Sequence, residues 1–452
     1  MESLSSYEQA FFVLSSAILL VLLSFGYGFA SNAWELFPHD YVTEAWVQAN
    51  SVVSNVRGVP PDSDPVVFER EGAREVRPDS IQPGLTLISS SWKDMGWRTA
   101  VRLFDSSGKV VHEWGTSAEK VDPSLVGPFA GFRNFEPAGW FRLFSDGDLL
   151  ISGTNVLARL NACGEVLWRT EPSEVGRFHH VGVLTDSTIW FPAGQEEVVS
   201  LPGLGKSEVD HEFVVKLSKS GEILKKVSIL ELIYENNLQD RIFRTNARGL
   251  QNGDLTHLND IEILTNPLAE EYPSFEPGDL LISLREIHSL IVFDPDTEKV
   301  KWIESDHFIR QHDPDFLGNG WIGVFDNHWE GNHRGEVLGG SRITAVHTRT
   351  DSTRTLFSTS SSEVDTFYTR TAGRWQKLRN GNLLLTESRA GRVSEVTKSG
   401  QLVWEWVNQS AKSRVPEVYG ARRVDITQKD VASWPCSSVD SVSTAQNQQT
   451  AQ

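Results

Sequence analysis

The stretch VSEVTKSGQLVWEW, residues 393–406, is an apolar run, a polar turn with glycine and a second apolar run rich in tryptophan. Five other stretches follow the same scheme: VRLFDSSGKVVHEW (101–114), LARLNACGEVLWRT (157–170), VVKLSKSGEILKKV (214–227), LIVFDPDTEKVKWI (290–303) and ITAVHTRTDSTRTLF (343–357). Apolar runs joined by a short polar turn are typical of antiparallel hairpins. Six copies, spaced by about 50 to 75 residues, indicate a repeat architecture.

A second phrase precedes several copies, as SDGDLLIS (145–152), GDLLISLR (278–285) and RNGNLLLTES (379–388). Asp-Gly or Asn-Gly before an apolar run is a hairpin signal. Each repeat is therefore a small antiparallel meander that must pack on its neighbours. Six meanders closed in a ring predict an all-β, six-bladed β-propeller, and the regular spacing favours it over a β-sandwich. The longest interval, between 214 and 290, predicts an insertion that includes IYENNLQDRIFR (233–244), whose secondary structure the pattern leaves open.

The N-terminus contains a long uncharged stretch, AFFVLSSAILLVLLSFGYGFA, at residues 10–30. Its length suffices for a helix that spans a bilayer. A cleaved signal peptide has a basic segment before its apolar core, but no lysine or arginine precedes Arg57. We expect an uncleaved N-terminal transmembrane helix, with a signal sequence as the alternative; the flanks give no orientation.

These features divide the chain of 452 residues into four segments. They are a membrane anchor at 1–30, a linker or short N-terminal segment at 31–80, the propeller at 81–430 and a disordered tail at 431–452, which ends in the low-complexity run SSVDSVSTAQNQQTAQ. The net charge of −18 argues against a nucleic-acid surface. The two cysteines, Cys163 and Cys436, are too few for a cysteine-based zinc site and leave both their pairing and the redox compartment open.

Functional groups of a propeller are expected in the strand ends and loops where the inner strands meet at the central channel. Polar side chains recur there in successive repeats: His179 and His180, His257 and Asn259, Arg285 and His288, His312 and Asp313, Asn327, His328 and His333, and Arg389 and Arg392. A single such residue is more often an ordinary hydrogen-bonded group. Their recurrence predicts that several converge. Strand alternation places His257 and Asn259 on one face and Asp260 on the other.

Four segments resemble the arylsulfotransferase family in their motifs and their order: LTHLNDIEI, LLISLREIHSLIVFD, RQHDPDFLGNGWIGVFDN and NGNLLLTESRAGRVSEVTKSGQLVWEW. The resemblance extends over roughly residues 85–425. It implies a six-bladed propeller that moves a sulfuryl group from an aryl sulfate to a phenol, without a nucleotide donor. It also implies a transiently sulfated histidine, with no cofactor and no metal.

The resemblance assigns roles to individual residues. His312 would be the nucleophile, while His257, Asn259 and Arg285 would act on the sulfate oxygens. One of His179 and His180 would complete the catalytic centre; we favour His180, with His179 and Asn327 contacting substrate. The partners would be small aryl sulfates and phenols and, through the N-terminal helix, the membrane, with the propeller in the periplasm or outside the cell.

The chain departs from the bacterial members of that family in three respects. They carry a disulfide near the nucleophile, whereas no cysteine lies near His312 in this sequence. They are exported by a cleavable signal, and their N-terminal β-domain has no clear counterpart in residues 31–80. These departures concern the substrate and the activity more than the propeller.

Two other functions fit a propeller. In a metal-dependent oxygenase, His180, His257, His312 and His328 would hold iron on the axis, although the cationic Arg285 would be unfavourable beside a metal ion. A non-catalytic binding scaffold at the membrane is the other alternative, because a fold does not by itself determine a function.

Overall fold

The computed structural model describes Pro60 and residues 62–114, 137–153, 156–170, 176–180, 182–203, 205–245, 253–332, 334–359 and 366–436. All of these belong to one compact unit. A second unit, centred on residues 1–58, is described only at six helical positions between 15 and 27. The predicted membrane helix at 10–30 therefore lies almost wholly outside the described residues. Among the residues that are described, no helix is long and apolar enough to cross a bilayer.

The described part of the chain is built mainly from strands. In chain order they are β1 (Ser63–Pro65), β2 (Gly72–Glu75), β3 (Leu85–Trp92), β4 (Arg98–Phe104), β5 (Val110–Trp114), β6 (Pro137–Leu143), β7 (Leu149–Gly153), β8 (Val156–Leu160), β9 (Val166–Arg169), β10 (Arg177–Phe178), β11 (Val183–Leu184), β12 (Thr188–Leu201), β13 (Gly205–Ser218), β14 (Ile223–Ser228), β15 (Leu258–Ile263), β16 (Leu280–Leu284), β17 (Ser289–Asp294), β18 (Lys299–Glu304), β19 (His312–Gly318), β20 (Trp321–Asp326), β21 (Arg342–His347), β22 (Thr353–Ser358), β23 (Arg374–Lys377), β24 (Leu383–Glu387), β25 (Arg392–Val396), β26 (Leu402–Val407), β27 (Arg414–Pro416) and β28 (Val418–Val424).

All of these strands except β1 and β27, which pair with each other, form six antiparallel blades. Blade 1 contains β28, β3, β4 and β5; blade 2, β6 to β9; blade 3, β10 to β14; blade 4, β15 to β18; blade 5, β19 to β22; and blade 6, β23 to β26 with β2 at its outer edge. Neighbouring blades contact each other at their inner strands, as β28 does on β6, β15 on β19 and β23 on β28, and in part through second and third strands, as β12 does on β15. The prediction of an all-β, six-bladed propeller is confirmed.

The ring closes through the C-terminal part of the chain. Strand β28 is the inner strand of blade 1 and pairs with β3, so that Ala421 lies opposite Ile88 and Val424 opposite Leu85. Blade 1 thus joins the first and last parts of the propeller. This pairing connects residues more than 300 positions apart along the sequence.

Strand β17 shows why the repeats contain continuous apolar runs. Its residues alternate between two cores: Ile291 and Phe293 pack towards blade 3, while Leu290 and Val292 pack towards blade 5. Both faces of a blade are buried because each blade lies between two others. A strand with two buried faces is apolar at every position instead of at every second one.

The long interval between two repeats contains helices. Helix α1 (Ile229–Glu235) and helix α2 (Asp240–Thr245) occupy the stretch whose structure the sequence left open. The hydroxyl of Ser228 accepts a hydrogen bond from the Glu231 N–H and caps α1. The apolar face of α1 joins the core between blades 3 and 4. Two shorter helices are α3 (Asn266–Ala269) and α4 (Gln428–Ala432).

Both ends of the predicted propeller segment extend further than the sequence suggested. The segment assigned to a linker contains β1, which pairs with β27, and β2, which pairs with β26. The segment assigned to a disordered tail begins instead with packed residues: Val431 and Trp434 are buried. Cys436 forms a disulfide with Cys163 in the turn between β8 and β9. Residues 437–452 lie outside the described part.

Candidate active site

Most of the predicted site residues lie at one end of the channel, around blades 3, 4 and 5. In an antiparallel blade the start of the inner strand adjoins the end of the second strand. The predicted residues occupy these two positions: His179 and His180 follow β10, His257 precedes β15, Arg285 follows β16, His312 begins β19 and Asn327 follows β20. The repeats therefore bring together groups that are far apart in the sequence.

His312 is held in a single tautomer. Its Nδ1 lies 2.6 Å from Oδ1 of Asn327 and 3.1 Å from the carbonyl oxygen of Arg310. The Asn327 amide donates to the carbonyl oxygens of Thr369, at 2.9 Å, and Ala372, at 2.7 Å, which fixes its own oxygen towards the histidine. Nδ1 therefore carries the ring proton. Nε2 keeps its lone pair, is buried, and has no hydrogen-bond partner among the described residues.

The surroundings of His312 also keep the ring uncharged. Burial, and secondly the positive charge of Arg285, lower its pKa to about 3. The hydrogen bond to Asn327 acts in the other direction but is weaker. A neutral imidazole with a free nitrogen at neutral pH is a suitable nucleophile.

Asp254, His257 and His180 form a chain of hydrogen bonds beside this ring. Nδ1 of His257 lies 2.8 Å from Oδ2 of Asp254, and its Nε2 lies 2.7 Å from Nε2 of His180. With Nδ1–H donated to the carboxylate, Nε2 of His257 accepts the proton of His180. His180 in turn lies near His312, with ring centroids 6.2 Å apart.

The backbone at these two histidines is unusual. His180 has φ of 60° and His257 has φ of 53°, in the left-handed region that non-glycine residues rarely occupy. Such conformations concentrate at functional sites. Burial is the main reason why the pKa values of both histidines lie well below their ordinary value, and neighbouring positive groups lower them further.

Two arginines supply positive charge next to the histidines. Arg285 donates from Nε and Nη2 to Oε1 of Glu286, at 3.0 and 2.7 Å, and its Nη2 lies 3.4 Å from Asp254. Arg310 shares the same Glu286 oxygen and stacks on Trp329, 5.0 Å from the ring centroid. The sequence reasoning missed Arg310, although its position two residues before His312 was a possible signal.

Asn259 has a structural contact at the nucleophile. Its Nδ2 donates to the carbonyl oxygen of Gln311, at 2.8 Å, and so holds the backbone next to His312. Its Oδ1 is buried without a partner among the described residues. Strand alternation fails here, because the pairing of β15 with β16 shifts register between Leu258 and Asp260. The expectation that Asp260 faces away is therefore wrong: it lies among the charged groups of the channel.

His179 lies beside its neighbour His180 but has a different partner. Its Nε2 is 3.6 Å from Oε1 of Glu212, and its ring centroid is 5.1 Å from that of His180. Burial lowers the pKa of His179 to about 4 and raises the pKa of Glu212 to about 8. Glu212 accepts the backbone N–H of Leu258 at 2.8 Å. Glu212 and Asp254 thus contact His179 and His257, respectively. The sequence analysis did not identify either acid.

The other polar candidates are engaged elsewhere. His328 contacts the carbonyl oxygen of Gly340, His288 accepts the Arg310 N–H, Arg389 pairs with Glu417, and Arg392 pairs with Glu387. His333 lies outside the described residues. Among the described residues, the four histidines of the iron alternative do not bring their ring nitrogens together as one set of ligands, and His328 contacts the Gly340 carbonyl oxygen instead. Within the described ranges, Glu304, His307 and Asp351 are the one group whose possible ligand atoms all lie within 4.8 Å of one another.

Comparison with known proteins adds a family to this geometry. A family model described as "Arylsulfotransferase (ASST)" matches residues 142–409, more than half of the chain. No curated protein sequence matches.

The solved structures that this chain resembles are distant from it. A protein of unknown function from Bacteroides caccae is 12% identical, covers 76% of this chain and 100% of its own length, and has a TM-score of 0.48. The Neurospora crassa Pan2 WD40 domain is 11% identical, with coverage of 77% and 89% and a TM-score of 0.39. Virginiamycin B lyase from Staphylococcus aureus is 12% identical, with coverage of 60% and 70% and a TM-score of 0.34. At these scores none of them informs the chemistry.

Proposed function

The chain belongs to the arylsulfotransferase (ASST) family, and from that premise we propose that it moves a sulfuryl group from an aryl sulfate to a phenol through a sulfated His312. One observation carries the proposal. The Nδ1–H of His312 is fixed on Asn327, its buried Nε2 has no partner among the described residues, and the ring lies near Arg285 and His180.

The first displacement begins with the neutral His312 ring. Its Nε2 lone pair forms a bond to sulfur while the bond between sulfur and the aryl oxygen breaks. The ring keeps its Nδ1–H on Asn327, becomes positively charged and is therefore a good leaving group. In the second displacement the oxygen of the acceptor phenol attacks sulfur, the N–S bond breaks, and the ring returns to its neutral form. Two such steps replace one difficult transfer.

In this proposal His180 and His257 handle the proton. The aryl sulfate brings a negative charge next to two rings whose pKa values are low, so its binding favours uptake of one proton by the pair. That proton passes to the departing aryl oxygen, and the pair recovers a proton from the hydroxyl of the acceptor. Asp254 holds the Nδ1–H of His257 and leaves its Nε2 to share the proton with His180.

Arg285 is the residue we assign to the sulfuryl oxygens. Sulfuryl transfer resembles phosphoryl transfer, in which charge spreads over the equatorial oxygens and catalysis is mainly positioning and electrostatic stabilisation. A guanidinium group offers a planar set of donors to such an oxyanion. Arg310 adds a second positive charge beside Arg285, because both guanidinium groups donate to the same oxygen of Glu286. Asn259 acts in this scheme by holding the backbone beside the nucleophile.

The test is transfer from 4-nitrophenyl sulfate to phenol by the purified full-length protein, beside His312→Ala. We expect that the wild type releases nitrophenol over many turnovers only when the acceptor is present. In the variant this release should fall by at least about 10⁴-fold. With donor alone, mass spectrometry should find one added SO₃ on the peptide that contains His312.

His347→Ala is the matched control, because His347 lies at the end of β21 in the same blade, outside the histidine cluster. Its activity should stay within about twofold of the wild type, because His347 packs on Trp321 and the turn after β21 and not on the histidine cluster. Acceptor-dependent transfer that survives in a folded His312→Ala protein would refute the assigned nucleophile. Absence of transfer by the folded wild type across a panel of aryl sulfates would favour a binding scaffold.

We also propose that the propeller lies in the periplasm or outside the cell, held to the membrane by its N-terminal helix. The disulfide between Cys163 and Cys436 supports an oxidising compartment. The uncharged run at residues 10–30 supports the anchor. Alkylation of intact cells without reductant should leave both cysteines unlabelled, and the protein should fractionate with membranes. Free thiols in a soluble fraction would contradict this location.

A further inference from the structure

The channel beneath the histidine cluster is divided into an acidic and a basic half. Strands β15 and β19 of blades 4 and 5 contribute Asp260, Glu262, Asp313 and Asp315. The inner strands of blades 2, 6 and 1 contribute Arg142, Arg374 and Arg422. All of these except Asp260, which is buried beside the other acids, line one cavity of about 270 Å³.

The two halves do not neutralise each other by direct contact. Among the described residues, no guanidinium nitrogen of these three arginines comes within 4.0 Å of a carboxylate oxygen of the four acids. Asp260 is only 1% exposed, and its Oδ2 has no hydrogen-bond partner in the described part of the chain. Charges that are buried without a partner are costly. The cavity between the halves therefore offers room for a ligand whose own charges would pair with the side chains on both sides.

Burial has the expected effect on both halves. It lowers the pKa of Arg142 to about 10, with the nearby Arg422 as the second cause. It raises the pKa of Asp260, Asp313 and Asp315, and the mutual repulsion of the acids raises the values for Asp260 and Asp315 further. The opposite half acts the other way: Arg374 lowers the pKa of Asp313, and Glu262 raises the pKa of Arg142. A ligand that carries both charges and lies between the halves would add direct partners to this attraction across the cavity.

The chemistry of the ligand follows from this division. A simple cation would be attracted to the acids and repelled by the arginines, and a simple anion would meet the opposite problem. We propose that the channel binds a small zwitterion of the amino-acid class, with its ammonium group towards the acids of blades 4 and 5 and its carboxylate towards the three arginines. A cavity of this size lies near the lower end of the range for small-molecule sites.

This site is separate from sulfuryl transfer and does not depend on it. Asp313 directly follows the nucleophile, but its side chain accepts the Trp375 N–H at 2.7 Å and lines the cavity. Binding is measured without any sulfate donor, so failure of the proposed activity would leave this proposal standing, and the reverse also holds.

The test is isothermal titration calorimetry of the full-length protein with zwitterions of increasing charge separation: glycine, β-alanine, 4-aminobutyrate and 6-aminohexanoate. Butylamine and butyrate are the single-charge controls. At least one zwitterion should bind about tenfold more tightly than both controls, a difference of about 1.4 kcal/mol. If none of the four binds more tightly than its single-charge analogues, the proposal is wrong.

Two variants locate the ligand. Arg142→Gln should weaken zwitterion binding about tenfold and spare butylamine, whereas Asp315→Asn should weaken it and spare butyrate. Lys219→Gln, in the exposed turn between β13 and β14, is the control and should bind as the wild type does. Thermal unfolding establishes that each variant is folded. Zwitterion affinity that is unchanged in both channel variants would place the ligand elsewhere and overturn the proposal.

Discussion

Blades 4 and 6 contain a similar sequence phrase, but their arginines lie in different surroundings. In both, a polar segment with an arginine follows the apolar second strand. In blade 4 this arginine is Arg285, which lies beside the histidines and shares two carboxylates, those of Glu286 and Asp254. In blade 6 the corresponding segment contains Arg389, which pairs with Glu417. The next arginine, Arg392, begins β25, is fully buried and pairs with Glu387 inside the blade.

The difference comes from what covers each blade. In blade 6, the N-terminal segment packs over the arginine, with the ring of Phe68 centred 4.0 Å from the Arg392 guanidinium carbon. Strand β2 completes the outer edge of the same blade. Arg285 has no such aromatic cover among the described residues. A polar residue of the repeat is thus available for chemistry where the N-terminal segment leaves it uncovered, and becomes part of the core where that segment covers it.

The largest effect on stability is expected when the buried positive charge of blade 6 is removed. Arg392→Gln leaves the Glu387 carboxylate buried without its cation, which should lower the free energy of unfolding by about 3–5 kcal/mol. Urea unfolding measures the loss, and the remaining folded protein should keep its specific activity. Arg98→Gln, at an exposed position, is the control. A loss below about 1 kcal/mol would mean that Arg392 is not structural.

The corresponding change in blade 4 should have the opposite profile. Arg285→Gln removes the positive charge that we assign to the sulfuryl oxygens. It should lower kcat/KM for 4-nitrophenyl sulfate by about 10²–10³-fold. Stability should change little, because Glu286 keeps Arg310 as a partner. Steady-state kinetics and thermal unfolding are measured on the same preparation. Unchanged kinetics with a large loss of stability would make blades 4 and 6 equivalent.

A smaller effect should separate proton transfer from nucleophilic attack. In Asp254→Asn the amide stabilises a protonated His257 less well than the carboxylate does. Transfer from phenyl sulfate, whose phenolate needs a proton, should slow by about 10²-fold. Transfer from 4-nitrophenyl sulfate should change far less, because its phenolate leaves without one. Equal losses with both donors would show that Asp254 only maintains structure; Asp296→Asn, in an exposed turn, is the control.

The smallest expected effect is that of pH on the first displacement. Because burial and Arg285 lower the pKa of His312 to about 3, its Nε2 stays unprotonated from pH 8 to pH 5. The rate of nitrophenol release in a single turnover should vary less than about twofold over this range and fall only near pH 3. Loss of the Arg285 charge raises that pKa, so in Arg285→Gln the fall should move to higher pH. A wild-type decline centred near pH 6.5 would contradict the low pKa.

The sequence predicted the blades because their signals are local. Each turn and its two apolar runs lie within about fifteen residues, and each blade has such a turn. The closure of β28 on β3 has no local signal, since its partner is more than 300 residues away. The sequence likewise left the secondary structure after β14 undecided, because a short apolar run does not distinguish helix from strand.

The site was predictable for groups that recur in the repeats and not for groups that support them. Arg285 directly follows the apolar strand β16, while His257 precedes β15 and His312 begins β19, and these positions at strand ends marked them. Asp254 and Glu212 lie outside the repeated phrases, and only the folded ring brings them to the histidines. Asp260 was misplaced because a bulge, which alternation cannot anticipate, shifts β15 by one residue.

The position of β28 has a consequence for biosynthesis. A ribosome delivers the propeller from blade 1 onwards, but the inner strand of that blade is made last. Until residues 418–424 emerge, the edge of β3 has no partner, and an unpaired strand edge invites association with other chains. Nascent chains and products truncated before Val418 are thus the forms most exposed to aggregation, while the disulfide at Cys436 fastens the ring only after synthesis has passed its final strand.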